Sequence, residues 1–202
     1  MPRMLQLSQA TPIATGKHRQ VYQHPEQPGQ LVKVVRTDLI ENAAATARWP
    51  RTGPYRGYVR EFKEYLASRH ADPGPTPLAA VIGLADTDLG VGLVVEKILG
   101  ADGALAPTLA TWLGRDGFTA AMRQALDDLL AALLRHNVIA TDLHAFNMVY
   151  GSNDGTAPRL MMIDGFGEKN IIPHRSMSRR HNATVNRRKF ERLVRRCQAG
   201  VT

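Results

Sequence analysis

Three polar side chains stand close together in a part of the chain that is otherwise apolar. Residues 139–150 read IATDLHAFNMVY, which places Asp142 five residues before Asn147, and Asp164 ends the apolar run MMID soon afterwards. Such groups are costly beside a hydrophobic core unless they are paired or used. Carboxylate and amide oxygens are ligands that Mg²⁺ accepts, and a carboxylate is also a candidate general base. The segment therefore predicts metal-dependent chemistry at a cleft.

A lysine stands alone in the β-branched run QLVKVVR, at position 33. Phosphoryl transfer needs a cation for the nucleotide phosphates, ligands for Mg²⁺ and a carboxylate that orients or deprotonates the attacking hydroxyl. We therefore interpret Lys33 as the phosphate contact, Asn147 and Asp164 as metal ligands, and Asp142 as the base. The alternatives are a solvent-facing Lys33 and turn or capping roles for the other three. His144 is interpreted as support for its loop.

The first half of the sequence predicts mostly strands. Strand patterns cover residues 8–16, 19–25, 30–36 and 81–99, the last as two strands around a turn. A helix is one interpretation of residues 38–48, and residues 49–57 predict a loop because they are rich in Pro and Gly. Helical spacing over residues 58–70 places Val59, Phe62 and Leu66 on one apolar stripe beside Tyr58 and Tyr65.

The second half predicts helices around one short strand. Residues 114–137 form the clearest helical pattern, with apolar side chains at helical spacing from Phe118 to Leu133. A turn is predicted at residues 151–158, a strand at 159–164 and an amphipathic helix at 186–198. The apolar stripe of that last helix consists of Phe190, Leu193, Val194 and Cys197. The sequence as a whole predicts an α+β fold.

The formal net charge of +8 for these 202 residues is concentrated at one end. Residues 174–202 hold nine Arg or Lys residues against one acid, Glu191, whereas the preceding residues are balanced. One interpretation is a docked helix with its arginines in solvent. The other is an anionic partner bound at residues 174–198: nucleic acid, a phosphorylated lipid or sugar, or an acidic protein.

The composition excludes several other classes. The single cysteine, Cys197, excludes a disulfide framework within the chain. No apolar run approaches the ~18 residues of a membrane span, and the first ten residues lack the apolar core of a signal peptide. We therefore expect a cytoplasmic protein without a membrane span. Neither a P-loop nor a zinc-ligand pattern is present.

Two sets of motifs resemble known families. TDLHAFN and IDGFG resemble the catalytic and metal loops of the protein-kinase-like superfamily, and the D-L-H-x-x-N form is closest to its aminoglycoside- and small-molecule-kinase branch. ATGKHRQVYQHPEQPGQLVKVV and YVREFKEYLA resemble more specifically the bacterial YrbL family, the PhoP regulatory network proteins, which are kinase-like in fold.

The resemblance implies a compact two-lobed kinase-like fold. Residues 1–97 would form a small N-lobe built on an antiparallel sheet, and residues 98–202 a reduced helical C-lobe. ATP would lie near a hinge at Glu96, Lys97 and Ile98.

The resemblance also assigns residues to the phosphate side of the nucleotide. Glu61 would form an ion pair with Lys33, and the loop that holds Gly16 and Lys17 would face the phosphates. That loop has one glycine where the superfamily usually has three, and Ala140–Thr141 replaces the usual His-Arg before Asp142.

Two functions follow from these patterns. The first is an ATP- and Mg²⁺-dependent transferase that phosphorylates an unidentified hydroxyl acceptor. The second is a pseudokinase-type regulatory module that does not transfer phosphate and contacts an anionic partner through its basic tail.

Overall fold

A computed structural model of the chain describes residues 4–45, 52–152, 157–169 and 173–201. The chain divides into two compact units, the first formed by Met1–Val59 and Ala80–Lys97 and the second by Arg60–Ala79 and Ile98–Thr202. Both units together make an α+β protein with an antiparallel sheet and several helices. The kinase-like two-lobed arrangement and its boundary at residue 97 stay predictions.

The first unit is built on a five-stranded antiparallel sheet with the order β1-β2-β3-β5-β4. The strands are β1 (Ala14–Thr15), β2 (Arg19–Gln23), β3 (Gln30–Val35), β4 (Val81–Thr87) and β5 (Gly90–Glu96). Helix α1 (Thr37–Ala45) follows β3, and a single 3₁₀ turn covers Gly53–Tyr55. The predicted strand at 8–16 shortens to β1, and residues 46–51 of the predicted helix and loop lie outside the described residues.

Strand β3 is the centre of this sheet and carries Lys33. The residue pairs with Val21 on β2 and Leu93 on β5. Val32 and Val34 point to a core cluster, so Lys33 points to the opposite face because side chains alternate along a strand. Its exposed fraction is 7%. The alternative of a solvent-facing Lys33 is therefore wrong.

The second unit is mainly helical. Its elements are most of α2 (Arg56–Ala71), α3 (Leu109–Asp116), α4 (Ala120–Arg135), the hairpin β6 (Met148–Gly151) and β7 (Arg159–Met162), α5 (His174–Met177) and α6 (Arg179–Gln198). Residues 153–156, in the middle of the predicted turn, lie outside the described residues. In the described part of the chain no helix is long and apolar enough to cross a membrane.

The single helix predicted over residues 114–137 is in fact two. Helix α3 ends at Gly117, whose φ of 69° is a left-handed conformation that glycine adopts without strain. Helix α4 then begins after Thr119, whose side chain caps it by accepting a hydrogen bond from the Met122 N–H. The helical spacing of apolar residues runs through this break, which is why periodicity alone did not locate it.

Helices α4 and α6 supply the main apolar core of the second unit. Met122, Leu126, Leu129 and Leu133 of α4 are buried. The stripe predicted for the last helix is confirmed, because Phe190, Leu193, Val194 and Cys197 are all buried in the same cluster. Helix α6 is therefore an integral part of this unit.

Helix α2 does not bury the stripe that its sequence predicts. Val59, Phe62 and Leu66 are 40%, 37% and 53% exposed, whereas Glu61 and Glu64 are 1% and 6% exposed. Burial of a carboxylate is tolerated where backbone donors satisfy it, and the Glu64 carboxylate accepts a hydrogen bond from the Ile139 N–H at 2.7 Å. The buried side of this helix thus combines Tyr58 with Glu61 and Glu64.

We expect the buried hydroxyl of Tyr58 to stabilise the strand that carries Lys33. It donates to the Lys33 carbonyl at 2.7 Å within the first unit. Tyr58→Phe should lower the free energy of unfolding by about 1 kcal/mol, the usual cost of one such bond. Urea unfolding of Tyr150→Phe is the control, since that hydroxyl makes no hydrogen bond to a described residue. Equal effects of the two substitutions would contradict the assignment.

Candidate active site

The β6–β7 hairpin brings two of the predicted site residues together. Met148 pairs with Met162 in the hairpin, and the Ile163 N–H donates to the Asn147 carbonyl at 2.9 Å. Asn147 at the start of β6 therefore lies beside Ile163 and Asp164 at the end of β7. Residues 16 positions apart or more in sequence become neighbours because the two strands are antiparallel.

The loop that carries Asp142 is fastened to the turn after Asp164. The N–H groups of Thr141 and Asp142 both donate to the Gly165 carbonyl at 2.8 Å. The side-chain amide nitrogen of Asn147 donates to the Asp142 carbonyl at 3.1 Å. Asp142, Asn147 and Asp164, which the sequence picked out, thus occupy one place in the second unit.

Gly165 is the residue that allows this close approach. Its φ is 79°, and a Cβ at this position would lie 2.5 Å from the Asp142 carbonyl oxygen and 2.8 Å from the Asn147 amide nitrogen. No other residue type fits both the left-handed backbone and this space. The Gly165 N–H in turn donates to Oδ1 of Asp164 at 2.6 Å.

Asn147 and Asp164 offer the kind of oxygen that a hard cation binds. The Asn147 amide nitrogen is engaged by Asp142, which leaves its amide oxygen for a cation. Mg²⁺ usually takes one or two protein oxygens and completes its shell with water and phosphate oxygens, so the two side chains fit that ion. Among the described residues no group of three or more His, Cys, Asp or Glu side chains is placed to hold a metal ion by itself.

His144 shapes the loop between Asp142 and Asn147. It caps the 3₁₀ turn Ala145–Asn147, and its ring stacks on Phe146 with centroids 5.5 Å apart. Phe146 is 55% exposed. These contacts agree with the interpretation of His144 as loop support.

A buried guanidinium supports the same loop from behind. Arg175 is 5% exposed, and its three nitrogens donate to the Ala140 carbonyl at 3.0 Å, to Asn182 Oδ1 at 3.0 Å and to Asn186 Oδ1 at 2.6 Å. Burial lowers the pKa of Arg175, and the nearby carboxylates of Glu168 and Glu64 oppose that effect. Each of the three guanidinium nitrogens thereby donates at least one hydrogen bond.

The two asparagines extend this support along the chain. Asn182 donates to the carbonyls of Asn137 and Val138, and Asn186 donates to Val138 at 2.8 Å. One turn later Lys189 donates to the carbonyls of residues 140 and 141. The inner face of α6 thus holds the segment that leads into Asp142.

The sequence did not reveal this support. The docked-helix interpretation placed the arginines in solvent, and the arginines of α6 are exposed, but it did not predict the buried Arg175 before that helix or the half-buried Lys189. A signal was present, since Asn182, Asn186 and Lys189 follow one another at the i, i+4, i+7 spacing of one helix face. It was missed because only apolar residues were used to define the inner side of the helix.

Glu64 is a further residue that sequence reasoning did not select. Its carboxylate holds the Ile139 N–H at 2.7 Å, in the segment before Asp142. Burial raises the pKa of Glu64 to about 7, with the Ile139 hydrogen bond and the charge of Arg175 opposing the shift and Glu168 adding to it. A carboxyl group that changes charge near pH 7 therefore contacts the segment that leads into Asp142.

The residues predicted for the nucleotide in the first unit occupy its sheet. Gly16 forms the turn between β1 and β2, where its N–H donates to the Arg19 carbonyl at 2.8 Å, and Lys17 is exposed in that turn. Lys33 is buried on β3. The carboxylate of Glu96, at the end of β5, accepts from the Ala80 N–H at 3.0 Å.

Two of the remaining predicted residues, Glu61 and Ile98, belong to the second unit. Glu61 is buried in α2, and Ile98 is buried in an apolar cluster with Val149 and Met161. Lys97 is in the first unit, where its ammonium donates to Gln23 at 2.9 Å. The Lys33–Glu61 ion pair and the ATP site near residues 96–98 stay predictions.

Comparison with known proteins places the chain in a family. The sequence profile described as "PhoP regulatory network protein YrbL" matches residues 5–198. The chain is 28% identical over 177 residues to "Uncharacterized protein YrbL" of Escherichia coli (strain K12), which covers 84% of this chain and 77% of that protein. It has the same identity and coverage with "Uncharacterized protein YrbL" of Shigella flexneri.

We expect Gly165→Ala to displace the Asp142 loop, because the added methyl would overlap the Asp142 carbonyl. Gly103→Ala is the matched control, since Gly103 has a φ of 74° and open space around its Cβ position. The control should lose about 1 kcal/mol from its left-handed backbone, and Gly165→Ala about 2 kcal/mol more from overlap. Urea unfolding measures both, and equal losses would show that Gly165 has no packing role.

Glu64→Gln should change how stability depends on pH. Glu64 keeps its proton in the folded protein up to a pKa of about 7, whereas its ordinary value is 4.5. The free energy of unfolding therefore falls as pH rises between these values, because the unfolded chain releases the proton first. Glutamine cannot ionise and still accepts the Ile139 hydrogen bond.

The expected result is a variant that matches the parent at pH 4 and exceeds its free energy of unfolding by about 3 kcal/mol at pH 8. Chemical denaturation at both pH values measures the difference. A difference that stays constant with pH would contradict a raised pKa for Glu64.

Proposed function

The chain belongs to the family of the PhoP regulatory network protein YrbL, and we propose that it is a kinase-like phosphotransferase that uses MgATP to phosphorylate a hydroxyl group. The observation that carries the proposal is the joint placement of Asp142, Asn147 and Asp164 around Gly165. These are the side-chain types that phosphoryl transfer requires from a protein.

The second unit would supply the reacting end of the site. Asp142 is exposed on a loop whose backbone is held from both sides, so its carboxylate is available to orient an acceptor hydroxyl and take its proton. Asn147 and Asp164 would hold Mg²⁺ through their side-chain oxygens. Bound MgATP would supply the γ-phosphoryl group, whose bond to ADP breaks as its bond to the acceptor oxygen forms.

The first unit would supply the contacts to the nucleotide. A buried lysine on the central strand of an antiparallel sheet is costly unless its ammonium has an anionic partner, and Glu61 and the ATP phosphates are the partners that we propose for Lys33. Gly16 and Lys17 would lie at the phosphates, and Glu96 and Ile98 at the rest of the nucleotide. In this proposal the two units correspond to the lobes of a compact kinase-like fold.

The placement of Asp142, Asn147 and Asp164 also argues against a purely regulatory module. A protein that only binds a partner does not require an exposed carboxylate held next to a second carboxylate and an amide. Nor does it require a glycine at the position that lets these groups come close together. The single glycine at the β1–β2 turn favours the regulatory alternative, because backbone N–H groups of glycine-rich loops commonly bind phosphates. Nucleotide binding separates the two functions.

Asp164→Ala should abolish Mg²⁺-dependent nucleotide binding. The test is a calorimetric titration of the full chain with a non-hydrolysable ATP analogue, with and without Mg²⁺. Asp127→Ala is the control, because Asp127 lies on the exposed side of α4 in an ion pair with Arg123. The parent and the control should bind in the presence of Mg²⁺, and Asp164→Ala should not.

Two results would contradict the proposal. Unchanged binding by Asp164→Ala would remove the metal role of that residue. Failure of the parent protein to bind with or without Mg²⁺ would exclude phosphotransfer and favour the regulatory module.

A further inference from the structure

The inner face of α6 runs alongside residues 137–141, the segment that leads into Asp142. Its asparagine side chains reach the carbonyls of residues 137 and 138, and Lys189 reaches the carbonyls of residues 140 and 141. Residues later in the helix contact residues later in the segment, so the helix and the segment run in the same direction. The next turn of this helix face therefore lies towards Asp142, which directly follows the last carbonyl in the series.

Arg192 occupies that next turn. It is three residues after Lys189, a spacing that puts two side chains side by side on a helix. It is exposed, whereas its neighbours Leu193 and Val194 are buried in the core. A cation with an exposed side chain thus continues the series beyond Lys189.

Several cations surround the ammonium of Lys189. Burial lowers its pKa most, and the positive charge of Arg175 lowers it further. Asp142 raises the pKa of Lys189, and Lys169 and Arg192 lower it. These residues are therefore electrostatic neighbours of the Lys189 ammonium, and Asp142 is the one acid among them.

Two other acids are close in sequence to these cations. Glu168 accepts from the backbone N–H of Arg175 at 3.2 Å. Glu191 lies two residues after Lys189, and residues at that spacing face different sides of a helix. Like charges held close together are unfavourable, and a bound anion relieves that repulsion through charge-assisted hydrogen bonds.

We infer that Lys169, Lys189 and Arg192 form an anion-binding patch beside Asp142, and that the acceptor is a hydroxyl compound carrying a phosphate or carboxylate group. Lys189 is fixed by the loop carbonyls, and the two exposed cations would close on the anionic group. The anion would hold the acceptor with its hydroxyl at Asp142. That the bound anion is a phosphoryl acceptor rests on the proposed function, whereas the anion-binding patch itself does not.

The patch is tested by calorimetric titration of the full chain with three related probes: α-glycerophosphate, glycerate and glycerol. Arg192→Gln and Lys169→Gln alter exposed residues of the patch, so both variants should fold normally. Arg187→Gln is the matched control, because Arg187 is an exposed arginine of α6 five residues before Arg192, a spacing that puts it on another side of the helix. Low and constant ionic strength limits screening.

The parent should bind one or both anions and not glycerol, and the stronger anion identifies the charged group of the acceptor. Each patch variant should weaken that binding about tenfold, the effect of losing one charge-assisted hydrogen bond, while Arg187→Gln should not. Equal weakening by Arg187→Gln, or no saturable binding of either anion by the parent, would overturn the inference.

Failure of the inference is distinguishable from failure of the proposed function. Anion binding that depends on Arg192, in a protein that does not bind the ATP analogue, would leave the patch standing and remove phosphotransfer. Binding of the ATP analogue without binding of either anion would leave the proposed function standing and remove the patch.

Discussion

The buried guanidinium of Arg175 is the constraint on which the Asp142 loop of the second unit depends. The donors of a charged group that is 5% exposed need hydrogen-bond partners. A buried donor without a partner destabilises the folded state by more than one hydrogen bond stabilises it. Its partners are the Ala140 carbonyl and two asparagine side chains of α6. To satisfy this one group, the short helix α5, the long helix α6 and the segment before Asp142 must all be in place. The apolar stripe of α6 then fixes that helix against α4.

The loop around Asp142 is consequently held from two sides, by hydrogen bonds on one side and by close packing on the other. On the α6 side the support is polar and buried, and it acts on the backbone carbonyls of residues 137–141. On the hairpin side the support is steric, because the space next to Asp142 admits Gly165 and excludes a side chain. The carboxylate of Asp142 lies between these supports and stays exposed. Such an arrangement keeps this carboxylate in place while leaving it accessible, as the proposed role of general base would require.

The sequence predicted those strands and helices whose burial follows from the spacing of their own apolar residues. β3, α4 and the stripe of α6 were predicted because hydrophobic periodicity determines which side of a strand or helix is buried. Asp142, Asn147 and Asp164 were selected because polar residues beside apolar runs require an explanation. Their proximity was not visible in the sequence, since it results from the β6–β7 register and the conformation of Gly165.

The parts that were missed depend on partners far away in sequence. Helix α2 buries Glu64 because Ile139, 75 positions later, supplies a hydrogen-bond donor. Arg175 and Lys189 turn inward because carbonyls of the loop segment accept from them. No periodicity within α2 or α6 contains that information, so the hydrophobic pattern did not predict the burial of these charges.

The order in which the chain is synthesised gives the inner face of α6 another consequence. Lys189 is made 47 residues after Asp142, and translation adds roughly 5 to 20 residues per second. During those few seconds the nascent chain holds the sequence of the functional loop without the helix that supports it. A ribosome-bound intermediate of this protein therefore has its chemistry-bearing residues exposed but unassembled, and the loop matures only when the last helix docks.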